Sequence, residues 1–271
     1  MNIAGIIGAR TIRRVSAFGD FCRFTGQSLS WIFGVVTHWR NLRLVFPQFF
    51  EVATRSVPVV MITGMFVGMV LAVQAVMQFK ALGLDAKLGT IVNLSALREL
   101  GPVLAGMMLA GRVGGGITAE LGTMRVTEQI DALRAMGADP LRVLVIPRFL
   151  ACVLMSPVLV MYTSVMAILG GFAISVYVYG INAKDFWESS AMSIGYFDIF
   201  QGPVKSLFFG AAISLVSCYK GFRCQAGAAG VGRACTEGFV ISCMAILVLD
   251  LFIGMFLNTL EVFFYGMRSI F

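Results

Sequence analysis

Long uncharged stretches of apolar residues dominate the hydrophobic and polar pattern of this chain. One runs from Ser56 to Phe79 and another from Phe149 to Ala183, and neither contains Asp, Glu, Lys or Arg. At 1.5 Å per residue, the first would form a helix roughly 36 Å long, which exceeds a hydrocarbon core of about 30 Å. Neither run alternates polar and apolar residues as a barrel strand does. Because backbone groups in lipid must be satisfied within the structure, the pattern predicts membrane-spanning helices.

The same pattern predicts five spans. They cover about residues 56–79, 88–112, a part of 149–180, 199–219 and 238–262. Residues 1–50 instead mix arginines with apolar residues at helical spacing, which predicts one or two helices lying in the membrane interface. The alternative of a first short span at Leu29–Val36 is disfavoured, because this run forms only about two turns.

Composition supports a membrane protein. Hydrophobic residues make up 58% of the 271 residues and charged residues 13%, whereas about a quarter of the residues in a soluble domain are charged. Too few polar side chains remain to cover a water-soluble fold of this length. The predicted fold class is therefore an all-α integral membrane protein, with an N-terminal interfacial amphipathic helix followed by about five transmembrane helices.

The distribution of basic residues predicts the orientation. Segments 1–55, 112–148 and 219–233 contain 15 of the 21 Lys and Arg residues. Since basic residues collect on the cytoplasmic side, these segments are expected in the cytoplasm, with the N-terminus inside and the C-terminus outside. The basic residues of these cytoplasmic segments explain the net charge of +7. It does not indicate nucleic-acid binding, because basic and aromatic residues are not interleaved.

The glycine-rich stretch GRVGGGITAELG, residues 111–122, resembles a phosphate-binding loop only superficially. A dinucleotide site needs G-x-G-x-x-G between a strand and a helix, and a Walker loop needs a Gly-Lys pair, which occurs nowhere in the chain. The stretch is instead expected to be the close-packed exit of the second span. Small residues at Gly64 and Gly68 form a second close-approach pattern, which could serve packing within the chain or a dimer face.

The sequence favours neither a metal site nor a set of disulfide bonds. The six cysteines form no C-x-x-C pair and lie mostly in or beside apolar runs, and His38 is the only histidine. The cysteines are therefore interpreted as small apolar residues, and a metal site is not expected.

A short charged helix is predicted after the glycine-rich stretch, at about residues 124–137. Thr123 or Thr127 could cap it, and Glu128 and Asp131 near its start would interact favourably with the helix dipole. Gly137 suits its C-terminal cap, and a proline follows three residues later. Such a helix could lie on the membrane surface as a linker or enter a groove on a soluble partner.

Four charged residues fall within or at the ends of the apolar spans: Arg98, Glu99, Lys205 and Asp250. Charges in this environment are costly and usually face a cavity or a partner. In one hypothesis, Arg98 and Lys205 receive a lipid phosphate while Glu99 holds a cation in place. The alternative is ion pairing between helices, which is the expected role of Asp250.

The first span could form the wall of a cavity for acyl chains. Its side chains combine flexible thioethers, branched apolar groups and two amides: Met65, Val67, Met69, Val70, Leu71, Gln74, Val76 and Gln78. The alternative is that they are ordinary core or lipid-facing residues.

The stretch LRELGPVLAGMMLAGRVGGGITAELGTMRVTEQIDALRAMGADPLRVLVIPRFLA, residues 97–151, resembles the MlaE permease family of lipid-transporting ABC systems. GMFVGMVLAVQ in the first span fits the same family. Asp131-Ala132-Leu133, followed by Gly137 and Ile146-Pro147, is similar to the loop of ABC importer permeases that carries the coupling helix. The resemblance covers nearly the whole chain, so residues 1–271 are expected to form a single permease domain.

This resemblance implies partners and roles. Family members form homodimers with cytoplasmic ABC ATPase subunits, an outer-side MCE-domain protein and, in some systems, a STAS-domain protein, and bacterial members move phospholipids at the inner membrane. The coupling helix would contact the ATPase through Glu128, Asp131, Arg134 and Gly137. Lys205 matches a lysine of the family. The chain would bind no cofactor, since ATP and magnesium belong to the ATPase. Glu237 departs from the family, where a basic residue is common.

The alternative function is that of a self-contained secondary transporter or a membrane enzyme acting on lipid. A self-contained secondary transporter would favour broken helices in repeated halves, and the sequence shows no convincing internal repeat. A membrane enzyme would need a cluster of titratable residues, for which a chain with one histidine offers few candidates. The resemblance therefore implies a permease subunit that maintains outer-membrane lipid asymmetry, without enzymatic activity of its own.

Overall fold

The computed structural model describes residues 3–36, 45–81 and 87–265, and these residues form helices joined by short connections. The helices are α1 (Ile3–Val36), α2 (Val45–Ala53), α3 (Val57–Ala81), α4 (Leu88–Val126), α5 (Gln129–Ala135), α6 (Leu141–Val178), α7 (Ala183–Ser193), α8 (Tyr196–Phe222) and α9 (Ala228–Tyr265). No strand occurs in these ranges. The prediction of an all-α fold is confirmed.

Five of the described helical stretches are long and apolar enough to cross a membrane. They correspond to the five predicted spans, but several extend further: α4 continues past residue 112 to Val126, α6 begins at Leu141, and α9 begins at Ala228. The predicted boundaries followed the first charged residues. Because Arg, Lys and Glu are good helix formers, a helix can leave the membrane without ending.

The chain alternates between the two ends of the bundle. The short helix α5 joins α4 to α6 at one end, which we call the α5 end, and α7 joins α6 to α8 at the other, the α7 end. Helix α7 packs on the start of α4, where the amide of Asn93 donates to Ser190 Oγ at 2.7 Å. Helix α1 lies at the α5 end, where Arg223 pairs with Asp20 at 2.9 Å and Tyr219 contacts Phe21 edge-on.

Helix α1 has the features of the predicted interfacial helix. Its side chains Ile12, Val15 and Phe18 recur along one side and are 72%, 66% and 68% exposed. An exposed apolar stripe on a helix beside the ends of the spans suits burial in the headgroup region. Its contacts with α6 and α8 hold it against the bundle.

Close helix packing explains the small residues of α3 and α6. A Cβ on Gly68 would overlap the carbonyl of Ala167, and a Cβ on Gly170 would overlap the carbonyl of Met65. A Cβ on Gly64 would lie 2.5 Å from the carbonyl oxygen of Thr163. Of the two roles left open for Gly64 and Gly68, packing within the chain is the one that the structure contains.

Helix α4 contains two π-helical turns, Ala96–Leu100 and Ala110–Gly114. Pro102 follows the first, and because proline has no backbone N–H it cannot bond the carbonyl of Arg98 as an α-helical residue would. Such turns commonly occur at functional sites. The first one carries Arg98 and Glu99, so the irregular backbone sets the direction of both side chains.

Candidate functional site

Six charged residues from three helices meet inside the bundle, and we call them the charged seam: Arg98, Glu99, Asp198, Lys205, Asp250 and Glu261. Lys205 is completely buried. Its Nζ lies 2.9 Å from Glu99 Oε2 and 3.0 Å from Asp250 Oδ1, and it donates to the carbonyl of Arg98 at 3.0 Å. The ammonium thus donates a hydrogen bond to the carbonyl of Arg98. Pro102 cannot make this bond because it has no N–H.

Arg98 forms the second half of the seam, towards the α7 end. Its Nε donates to Asp198 Oδ1 at 2.6 Å, and its Nη2 donates to both carboxylate oxygens of Glu261 at 2.7 and 2.8 Å. Asp198 also accepts from the backbone N–H of Gly195 at 2.7 Å, which caps α8. Arg98 therefore joins α4 to both α8 and α9.

Helical periodicity produces the seam. On α8, Asp198, Gln201 and Lys205 follow at i, i+3 and i+7, and on α9, Asp250, Asn258 and Glu261 follow at i, i+8 and i+11, so each set lies on one face. Gln201 Nε2 donates to Asn258 Oδ1 at 3.2 Å between the two halves. Gly254 leaves room for the ammonium, since a Cβ there would lie in tight contact, 3.2 Å from Lys205 Nζ.

The seam contains four carboxylates and two cationic side chains. Both cations are already paired, so ion pairing between helices is the arrangement that the structure contains for Arg98, Lys205 and Asp250. Glu99 differs from the others, since its side chain is 48% exposed. Asp198 and Glu261 were missed in the sequence, although their helical spacing from Lys205 and Asp250 could have indicated them.

The predicted acyl-chain wall lies on α3. Val70, Gln74 and Gln78 are exposed and follow at i, i+4 and i+8, so they form one stripe along the helix surface, while Val67 and Leu71 are half-buried beside it. The structure thus divides the predicted set into an outward stripe, a flanking row and the core residue Val76, which is 1% exposed and therefore not available to an acyl chain. It leaves the stripe free to contact molecules outside the described bundle.

The predicted short helix is present as α5, with different limits. Residues 124–126 belong to the end of α4, and Glu128 adopts a left-handed conformation with φ 59° that separates the two helices. Thr127 does not cap α5, because its hydroxyl donates to the carbonyl of Thr123 at 2.9 Å. Gly137 has φ 77° and its N–H bonds the carbonyl of Arg134 at 2.9 Å, so the predicted C-terminal cap is confirmed.

Helix α5 is anchored on one side and charged on the other. Ile130 is completely buried, whereas Glu128, Asp131, Arg134 and Gly137 are exposed. Asp131 forms ion pairs with Arg125 and Arg134, which hold its carboxylate near the helix. Glu128 has no ion pair among the described residues, so its charge is directed to solvent at the tip of the α4–α5 junction.

Known proteins resemble this chain over most of its length. The profile of the family described as Permease MlaE matches residues 45–256. The "Probable ABC transporter permease protein" of Rickettsia bellii is 41% identical over 92% of this chain and 95% of its own. The "Intermembrane phospholipid transport system permease protein MlaE" of Haemophilus influenzae is 34% identical over 87% and 94%, respectively.

A plant protein is also similar. The chloroplastic protein TRIGALACTOSYLDIACYLGLYCEROL 1 of Arabidopsis thaliana is 37% identical over 81% of this chain and 62% of its own. The family profile covers the region that contains α5, the π-turns of α4 and five of the six residues of the charged seam. This multi-pass membrane protein belongs to the MlaE permease family.

Proposed function

We propose that this chain is the membrane subunit of an ATP-driven transporter that moves phospholipids between the inner membrane and an outer-side MCE-domain protein, and so maintains outer-membrane lipid asymmetry. Two copies would form the transmembrane part, with ABC ATPase subunits at the α5 end and, in some systems, a STAS-domain protein on the ATPase. ATP and magnesium would bind to the ATPase. Family membership and the name of the Haemophilus relative support this proposal.

The geometry of α5 is the observation that carries the proposal. It is a short capped helix between two spans, with a buried anchor at Ile130 and an exposed charged face. A helix in a groove on a soluble partner needs exposed side chains on a rigid element, and α5 provides both. Because α5 continues directly into α4 and α6, displacement of α5 by the ATPase would move these two spans.

A path for the lipid follows from the exposed residues. We propose that the acyl chains contact the α3 stripe of Val70, Gln74 and Gln78 with its neighbours Val67 and Leu71, and that the headgroup reaches Arg98 and Glu99. Arg98 is 24% exposed and Glu99 48%. Lys205 helps to position the proposed headgroup site, since its buried ammonium bonds Glu99 and the carbonyl of Arg98.

Charge reversal on α5 tests the coupling to the ATPase. We expect Glu128→Lys to reduce copurification of the ATPase or to lower lipid-stimulated ATP hydrolysis by roughly tenfold, because one charge-assisted contact contributes about that factor. Glu188→Lys on α7 is the matched control, since Glu188 is 55% exposed at the α7 end. The assay is ATP hydrolysis and lipid transfer by the purified assembly in nanodiscs.

The control should leave ATPase copurification and ATP hydrolysis unchanged, because Glu188 lies at the end opposite to the proposed ATPase contact. If Glu128→Lys and Glu188→Lys behave alike, α5 is not the contact with the ATPase. If the wild-type chain purifies without any ATPase and transports lipid without ATP, the proposal of an ABC permease is wrong and a self-contained transporter is favoured.

A further inference from the structure

A cavity of 270 Å³ lies between α2 and α4, away from the charged seam. We call it the α2–α4 cavity. Its lining combines charged, polar and apolar side chains with one glycine: Gln48, Glu51, Val52, Arg112, Val113, Gly116, Ile117 and Glu120. Glu51, Arg112, Gly116 and Glu120 are exposed, so the cavity opens to the surface of the chain.

The position of the cavity along the spans places it at the membrane interface. The Arg112 guanidinium donates to the carbonyl of Arg55, two residues before α3 begins at Val57. The part of α4 from Leu88 to Arg112 is about 36 Å long at 1.5 Å per residue, enough to cross the hydrocarbon core of about 30 Å. The residues of α4 that line the cavity beyond Arg112 therefore lie at headgroup depth, towards the α5 end.

The cavity presents both signs of charge. Arg112 supplies guanidinium N–H groups, which suit a phosphate. Glu51 and Glu120 supply carboxylates, and each is already held by an arginine: Arg55 bonds Glu51 Oε1 at 2.6 Å, and Arg148 bonds Glu120 Oε1 at 2.7 Å. An ammonium group can be accepted by the same carboxylates.

Arg148 makes the second acidic position rigid. It is only 3% exposed, and its Nη2 holds Glu120 while Nη1 has no hydrogen-bond partner among the described residues. A buried guanidinium must keep a carboxylate near it because an unpaired buried charge is costly. Glu120 is therefore fixed at the cavity wall, while its side chain stays 57% exposed.

Size and surroundings favour a headgroup over a whole lipid. The volume of 270 Å³ lies just below the range of about 300–1,000 Å³ for pockets that enclose drug-sized molecules. Val52, Val113 and Ile117 provide apolar contacts for the first carbons of the glycerol esters. Phe46 and Phe50, 70% and 62% exposed on α2, offer an apolar surface along which acyl chains can continue.

We propose that the α2–α4 cavity binds the headgroup of a zwitterionic phospholipid, with the phosphate at Arg112 and the ammonium at Glu51 and Glu120. This site is separate from the proposed path along α3 and Arg98. It requires only that the chain spans a membrane, so it does not depend on ATP-driven transport.

A variant that fills the cavity tests the site. A Cβ added at Gly116 meets no atom within 4 Å, so a side chain can start there without a clash, and Gly116→Leu would place its apolar atoms at the cavity lining. Gly115→Leu is the matched control: it is the same change one residue earlier, with equally open space and outside the cavity lining. The measurement is native mass spectrometry of the chain from nanodiscs of phosphatidylethanolamine and phosphatidylglycerol, without ATP or partners.

We expect wild type and Gly115→Leu to retain phosphatidylethanolamine, and Gly116→Leu to lose it by at least about fivefold. Arg112→Gln should weaken retention by roughly tenfold, because a charge-assisted contact to phosphate is removed. Arg233→Gln is its control, as Arg233 is exposed, carries the same charge and does not line the cavity. Phosphatidylglycerol, which lacks an ammonium, should be retained less by wild type.

Three results would overturn the proposal. Equal retention by the two leucine variants would place the lipid elsewhere. Conversion of Gly116→Leu to monomers, with unchanged lipid per chain, would show that a second copy of the chain covers this face. Displacement of the lipid by soluble phosphoethanolamine at equal concentration would show that the cavity takes the free compound and that acyl chains contribute nothing.

Discussion

Lys205 shows how a buried charge can be tolerated within a membrane bundle. Its ammonium has two carboxylates and one backbone carbonyl around it, and that carbonyl is available because Pro102 has no N–H to offer it. The Glu99 side chain is 48% exposed at the surface of the chain, whereas that of Asp250 is only 16% exposed. Removing the cation would thus leave the mostly buried carboxylate of Asp250 without compensation, which is the costly case for an ion pair.

We expect Lys205→Met to lower the free energy of unfolding by about 3–5 kcal/mol, the usual cost of removing one partner of a buried pair. The double variant Lys205→Met with Asp250→Asn should recover most of this loss, because the uncompensated carboxylate is neutralised. The measurement is thermal unfolding in detergent, followed by size-exclusion chromatography.

Lys220→Met is the matched control for this experiment. Lys220 pairs with Glu237 at 2.7 Å, but Glu237 is 50% exposed, so this pair contributes at most about 1 kcal/mol. A double variant as unstable as Lys205→Met alone would contradict the pairing explanation and favour a direct role of Lys205 with an anionic ligand.

At the scale of helices, the residue at which a helix ends depends on backbone conformations that the hydrophobic pattern does not predict. The sequence predicted five spans and a short helix, and each is present. It placed the end of the second span at residue 112, whereas α4 continues to Val126 and ends where Glu128 turns left-handed. Such a conformation is uncommon for glutamate, so no residue pattern predicted it. The glycine cap at Gly137 was predictable because glycine accepts positive φ without strain.

The crossing of α3 and α6 provides a test at this scale. Gly68→Ala should force the two helices apart, because its Cβ would overlap the carbonyl of Ala167 on a backbone that cannot give way. We expect a loss of stability on the order of 1–3 kcal/mol, as for overpacked cores. Gly19→Ala in α1 is the control: its Cβ meets nothing within 4 Å, and alanine favours the helix. Equal thermal stability of both variants in detergent would contradict the close crossing.

The whole molecule combines a predictable topology with an internal charge arrangement that was only partly predictable. Long apolar runs determine the number of spans, since a crossing helix needs about 20 such residues whatever its neighbours are. The partners of Arg98 could not be derived in this way. Asp198 and Glu261 lie 100 and 163 residues from Arg98 in the sequence, and only the packing of α8 and α9 against α4 brings them together.

The orientation of the molecule leads to the last prediction. Most basic residues lie at the α5 end, so this end should face the cytoplasm and the α7 end the periplasm. Met136 and Met192 are 73% and 86% exposed at these two ends. In a chain whose native cysteines are replaced, Met192→Cys should react with a membrane-impermeant maleimide in spheroplasts, whereas Met136→Cys should react only after the membrane is opened. The reverse pattern would place α5, the helix proposed to contact the ATPase, outside, where no ATP is available, and would remove the physical basis for coupling through α5.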